Sequence, residues 1–224
     1  MRNKLNILFI VVLFHSVFAH AQTTVSLGFK GGLNFSKWKY EKNEQPKQEF
    51  SHGYLGAIPV EIMFGEHWGL QTEPTYIQKT DVTMYSAWGM IHPHAYTSYT
   101  IRSTLDYVEL PLMAKMVRGN KLKFSVVAGG FMSYLMAGKR VLSSSDFKTI
   151  NDTYDMDSFH RFQAGISAGA GLKIPVSAFF ITVDVRYSYG LTNMVSSAST
   201  VRHTQEMSAT AGLLFPLRRK SSGL

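Results

Sequence analysis

The chain of 224 residues contains no cysteine. That absence excludes a disulfide scaffold, a thiolate zinc site and a cysteine nucleophile together. Charge is sparse as well, at 17% of residues, against 45% hydrophobic and 13% aromatic. A disordered acidic or basic tail would show the opposite balance. Past residue 21 the sequence lacks any uncharged apolar run as long as the roughly 18 residues of a helical membrane span. Mean hydropathy near neutral likewise excludes a polytopic helical membrane protein. The pattern G-x-S-x-G occurs at Gly165-Ile166-Ser167-Ala168-Gly169, but inside an alternating stretch and not at the strand-to-helix turn of a serine hydrolase. The formal net charge of +8 is moderate and names no partner.

What stands first in the chain is an address. Arg2 and Lys4 precede an apolar stretch, Leu5 to Ala19, interrupted by His15 and Ser16, and Ala19-His20-Ala21 follows with small residues at the A-x-A spacing. That layout predicts a secretory signal peptide over residues 1–21, cleaved before Gln22, and one β-barrel domain over residues 22–224. An exported chain with this composition crosses a membrane, if at all, without helices.

The remainder alternates with period two. Segments 24–36, 54–64, 68–76, 108–116, 122–136, 162–174, 179–191 and 207–217 each carry apolar residues on one parity. In the first, Val25, Leu27, Phe29, Leu33 and Phe35 alternate with Ser26, Lys30 and Asn34. Successive side chains of a strand point to opposite faces, so each segment reads as a two-faced strand. The apolar parities carry no Asp, Glu, Lys or Arg. The other parity holds Lys30, Glu61, Glu73, Lys79, Glu109, Lys115, Lys123, Arg161, Lys173, Asp184, Arg186 and Glu206.

A soluble sandwich or lipocalin-like barrel would turn the apolar face inward, and a membrane barrel would turn it outward. The apolar faces are long for soluble strands, which average about five or six residues. Aromatics gather toward both ends: Phe35, Tyr54, Tyr76, Tyr134, Phe162, Tyr187 and Tyr189 at one, Phe64, Trp68, Phe124, Phe179 and Phe215 at the other. Two girdles at two bilayer interfaces would have that pattern. The charged parity is rich in Gly and Ser, as a narrow polar lumen requires. The expected fold is all-β, an eight-stranded antiparallel up-and-down transmembrane barrel.

Connections alternate in length. Gly65-Glu66-His67, Arg118-Gly119-Asn120 and Pro175-Val176-Ser177 read as tight turns. Residues 37–50, 80–104, 139–159 and 192–204 read as long loops. An even-stranded barrel of this kind keeps both termini and its short turns on the periplasmic side. Pro59 and Pro111 fall on the charged parity and Pro74 on the apolar one, and a proline cannot donate to the ladder. Bulges or breaks are expected there.

Several of these stretches resemble a known family. Residues 28–36 (GFKGGLNFS), 107–115 (YVELPLMAK), 126–131 (VVAGGF), 165–173 and 186–193 (RYSYGLTN) are similar to the PorT-like outer-membrane β-barrel family of Bacteroidota, small barrels of the porin and OmpA type. The resemblance covers nearly the whole chain beyond residue 21, and its motifs are structural. It implies an outer-membrane location and an eight-stranded barrel. Some members of that family serve type IX secretion and gliding, but no residue here assigns that role.

Candidate chemistry is thin. His92-Pro93-His94 offers two imidazoles with no marked third ligand, so no metal is expected. The oxygen-rich stretch 151–157 lacks EF-hand spacing. Gly165, Gly169 and Gly171 suggest a phosphate loop only superficially; they share the charged parity, and clearance inside a narrow barrel explains them. His52, Asp81, His94 and Asp106 are candidates for an outer-rim enzyme, yet no sequence feature joins a base to a nucleophile. Lys37, Lys39, Lys42 and Lys47 beside Trp38 and Tyr40 form a candidate contact for phosphorylated headgroups or glycans, diluted by Glu41, Glu44 and Glu49. Arg218, Arg219 and Lys220 read as a solvated tail.

An eight-stranded barrel is just wide enough for its own side chains, and buried charges must be paired. The lumen is therefore expected to be plugged by a network of Glu61, Glu73, Glu109, Lys115, Asp184, Arg186 and Glu206. The function expected is a structural or interaction scaffold without enzymatic activity, cofactor or metal. The alternatives are a small-solute porin-like channel and an outer-rim enzyme. Tyr85, Trp88, Tyr96 and Tyr99 form the candidate loop contact surface, because exposed aromatics favour interfaces. The expected partners are outer-membrane lipid and lipopolysaccharide, with another envelope protein or an extracellular ligand at the loops and no nucleic acid.

Overall fold

A computed structural model describes residues 23–40, 48–88, 96–144, 149–153, 159–195 and 201–217. The expected signal peptide, His92, His94, Lys42, Lys47, Asp155, Asp157 and Arg218 to Lys220 lie outside the described residues.

The described chain forms one antiparallel sheet: β1 (Thr23–Tyr40), β2 (Gln48–Ala57), β3 (Val60–Phe64), β4 (Trp68–Thr72), β5 (Thr75–Trp88), β6 (Tyr96–Arg118), β7 (Lys123–Ser144), β8 (Ile150–Thr153), β9 (Phe162–Val176), β10 (Phe179–Gly190) and β11 (Arg202–Leu217). Two pairs of segments act as single staves, β2 with β3 and β4 with β5. With the short β8, which pairs only along β7, set aside, eight staves follow one another around a ring, and β1 closes it by pairing with β11 on one side and with β2 and β3 on the other. Closure pairs every stave on both edges, which matters wherever water cannot satisfy a free edge.

The prolines explain the two split staves. The first breaks at Ile58-Pro59 and the second at Glu73-Pro74. Each gap keeps a ladder bond, because Gly28 N–H donates to the Pro59 carbonyl and Ile58 N–H to the Pro74 carbonyl, both at 3.0 Å. Alternation is undisturbed across both gaps. Pro111 makes no break. It sits within β6 opposite Phe131, and its carbonyl accepts from Thr72 Oγ1 at 2.8 Å. Register shifts fall instead between Phe50 and Leu55 and between Asp106 and Tyr107.

Tight turns lie at one end of the ring, where Thr23 pairs with Phe64 and Val25 with Leu217. Gly65 at φ 74° and Gly119 at φ 118° turn the chain in the left-handed region that glycine tolerates. The third turn is shorter than expected. Pro175 and Val176 belong to β9, and Ser177-Ala178 alone reverses the chain, with Ser177 at φ 45°.

The long loops are also shorter than the sequence suggests. Most of residues 80–104 is ladder, since β5 and β6 stay paired from Thr80↔Thr104 to Trp88↔Tyr96. The last β7–β9 pair is Tyr134↔Phe162, but β6 and β7 pair on to Tyr99↔Ser144, and β8 pairs along β7 at Leu142↔Ile150. A ribbon of β5, β6, β7 and β8 thus outruns its neighbours at the long-connection end.

The ring is inside-out by the standard of a soluble protein. Phe29 is 58% exposed, Leu112 63% and Ile166 55%, whereas Lys79 is fully buried. Apolar side chains face outward on every stave, and the charged parity faces the axis. In water such a continuous apolar belt would far exceed the few hundred Å² that a soluble monomer tolerates; in lipid it is the stable arrangement. Arg161 departs from the expected lumen set, being exposed just before β9 begins.

Candidate functional site

Three tiers of ion pairs cross the lumen, each joining strands far apart in sequence. In the middle tier Lys30 on β1 pairs with Glu73, in the gap between β4 and β5, and lies 3.3 Å from Asp184 on β10. Arg186, also on β10, reaches Glu73 at 2.6 Å. The tier nearer the long connections holds Lys79 on β5, 3.1 Å from Glu109 on β6 and 2.8 Å from Glu206 on β11. The tier nearest the tight turns centres on Glu61 on β3, paired with both Lys115 on β6 and Lys173 on β9. Gln71 on β4 stitches two tiers together, accepting from Lys115 at 2.6 Å and donating to Glu73.

Five carboxylates thus face five cations across these pairs. A buried charge without a partner would cost several kcal/mol, and each of these groups has one. The structure brings Glu61, Glu73, Glu109, Lys115, Asp184, Arg186 and Glu206 into the tiers, and Lys30, Lys79 and Lys173 complete them. Lys79 is held further by aromatic faces, its ammonium lying 4.7 Å from the Tyr107 ring centroid and 5.2 Å from that of Phe131.

Glycine makes room for these groups at two positions. A Cβ on Gly171 would fall 2.1 Å from Asp184 Oδ1, and one on Gly165 would fall 2.5 Å from the Phe131 ring. Gly165 and Gly171 of β9 are therefore clearance for lumen side chains.

The lumen is not polar throughout. Trp38, Leu55, Ile77, Leu105, Tyr107, Leu135, Phe159 and Met194 form a buried apolar cluster toward the long-connection end. Phe159 and Val195 form an isolated bridge between the β8–β9 and β10–β11 connections, and Trp38 meets Phe159 edge-on at 6.3 Å. The expectation of a lumen made only of small and charged groups is corrected by this plug. The signal was present in Leu55, Ile77, Leu105 and Leu135, which share the charged parity. Between plug and middle tier the lumen leaves a void of about 20 Å³, lined by Lys30, Asn34, Glu73, Arg186 and Glu206 among others. That is room for a single water.

The family model of the outer membrane protein beta-barrel domain matches residues 20–196. The chain belongs to that family. No curated protein matches the sequence. Among solved structures, the chain is similar to Ail, the attachment invasion locus protein of Yersinia pestis, at 15% identity, 85% coverage of this chain, 99% of that chain and a TM-score of 0.40. It is similar to OprG of Pseudomonas aeruginosa at 10% identity, with coverages of 89% and 97% and a TM-score of 0.46. The N-terminal barrel domain of OprF from the same organism matches at 13% identity, with coverages of 88% and 98% and a TM-score of 0.38. As an outer-membrane β-barrel protein, the chain resides in the bacterial outer membrane.

The barrel places the other candidate residues as follows. Tyr85 and Tyr99 are cross-strand partners on the β5–β6 ribbon, with rings stacked at 5.2 Å. Trp88 and Tyr96 pair in the same ladder, and their side chains lie outside the described part. Trp38 is corrected from a surface aromatic to a plug residue, 2% exposed, so it takes no part in a lysine-lined contact surface. Lys37 stays outside, 4.6 Å from the Phe50 ring. Of the rim-enzyme candidates, His94 lies outside the described residues, and the other three do not meet. Asp81 is buried, accepting from Trp38 N–H and Thr83 Oγ1, while His52 is exposed and Asp106 accepts from Gln78. Among the described residues no three His, Asp or Glu side chains are grouped to hold a metal.

Proposed function

We propose that this outer-membrane barrel is a structural or interaction scaffold, anchored by its apolar belt and presenting the β5–β8 ribbon to a partner. The observation that carries this reading is the pairing of a filled lumen with an overlong ribbon. Among the described residues the tiers and plug leave between them a void of only about 20 Å³, whereas the ribbon continues the ladder beyond the last β7–β9 pair. Rigid, paired backbone with stacked Tyr85 and Tyr99 at its surface suits recognition, because little conformational entropy is lost on binding. The tight turns, the start of β1 and the end of β11 then face the periplasm, and the ribbon faces outward. Outer-membrane lipid and lipopolysaccharide contact the belt and its girdles. The partner at the ribbon is another envelope protein or an extracellular ligand. The PorT-like family of Bacteroidota is the finer assignment, supported by the stretches of sequence already quoted.

A photo-cross-linking residue at Tyr85 or Tyr99 tests the reading in native outer membranes. Discrete adducts are expected from both positions and none from Leu122 at the tight-turn end. Adducts absent from the ribbon positions would contradict the scaffold role.

A further inference from the structure

The tight-turn mouth of the barrel differs in kind from the plugged end. It opens into a cavity of about 520 Å³, a size in the range of ligand sites. Thr24 and Ser26 line it from β1, Arg118 and Lys123 from the β6–β7 turn, and Lys173 and Phe180 from the β9–β10 hairpin.

Charge at this mouth is out of balance. Glu61 is shared by Lys115 and Lys173, so the adjoining tier holds two cations to one carboxylate. Lys123 then adds a third ammonium with no carboxylate partner among the described residues. Lys123 and Lys173 are direct cross-strand partners, and like charges facing each other across a ladder repel. Both ammoniums also converge on one ring, 5.6 Å and 5.1 Å from the Phe180 centroid. The lining carries one carboxylate, that of Glu66, exposed in its turn. An anion seated between the two lysines would relieve that repulsion.

We propose that this mouth binds a phosphate-type oxyanion, with Lys123 and Lys173 as its charged anchors, Arg118 at the entrance and the Ser26 and Thr24 hydroxyls as further donors. A tetrahedral dianion matches several converging cationic donors. The cavity exceeds a bare phosphate and leaves space for the group that carries it. Two sources offer this chemistry, a soluble phosphorylated compound and the headgroup phosphate of a membrane lipid. The site stands independently of the scaffold role, which concerns the opposite end.

The test uses the full barrel refolded in a phosphate-free maltoside detergent, with inorganic pyrophosphate titrated calorimetrically. Saturable binding is expected that weakens with ionic strength. Lys123→Gln should weaken it about tenfold or more, the loss of one charge-assisted contact. Arg118→Gln should weaken it several-fold, and Lys123→Arg should retain it. Lys37→Gln, at the other end, should leave it unchanged. Heat-modifiable gel migration confirms that each variant is folded, and Arg118, exposed at the turn, gives a readout that does not depend on packing. Native mass spectrometry with phosphatidylglycerol separates the sources: a retained lipid displaced by pyrophosphate indicates a headgroup, and pyrophosphate binding without a retained lipid indicates a soluble ligand. No saturable binding by the wild-type barrel, or equal binding by folded Lys123→Gln, overturns the proposal.

Discussion

Arg186 on β10 donates to Glu73 across the lumen at 2.6 Å, joining residues 113 apart in sequence. Glu73 sits in the gap that Pro74 opens between β4 and β5, and Lys30 holds its other oxygen. A break in one stave therefore presents the carboxylate that ties three staves together.

Glu73→Gln should be among the most destabilising single changes, at about 3–5 kcal/mol, because it leaves two buried cations short of a partner. Urea titration of the refolded barrel, read by heat-modifiable migration, measures it. Adding Lys30→Gln should recover part of the loss, and a fully additive double variant would show that the two groups are not coupled.

Gly171→Ala forces a methyl group against Asp184 and should cost about 1–3 kcal/mol, as overpacking does. The same change in an Asp184→Ala background should cost markedly less. Equal costs in the two backgrounds would mean that the glycine serves another purpose.

Trp38→Ala empties the centre of the plug and should cost about 3–5 kcal/mol. Its effect belongs to the long-connection end, so pyrophosphate binding at the tight-turn mouth should be unchanged. Thermal unfolding and calorimetry on one preparation check both statements.

The void of about 20 Å³ between the plug and the middle tier admits no hydrated solute. Purified barrel in planar bilayers should show no reproducible steady conductance, and sustained single-channel steps would contradict a filled lumen.

The eight staves were legible because lipid and lumen impose opposite demands on alternate residues. In residues 206–213, for example, Met207, Ala209, Ala211 and Leu213 stand against Glu206, Ser208 and Thr210. The ribbon was hidden for the same reason: around Thr97 and Ser98 neither parity is apolar, so periodicity carries no contrast although the backbone stays paired. The plug escaped notice because Leu55 and Leu105 share a parity with Glu61 and Glu109, and the charges drew the reading. Which cation meets which carboxylate depends on the stagger between staves, and alternation along one strand does not encode it. Lys123 facing Lys173 is such a case, visible only once β7 and β9 are aligned.

The account rests on the direction in which the sheet faces. The chain has no cysteine, so single spin labels can be placed at will, and Ile166 and Ser167 are adjacent residues of β9 on opposite faces. In reconstituted bilayers a nitroxide at Ile166 should collide freely with oxygen dissolved in the acyl region and hardly with a water-soluble nickel chelate, whereas one at Ser167 should be immobilised and shielded from oxygen. The reverse pattern would contradict the orientation.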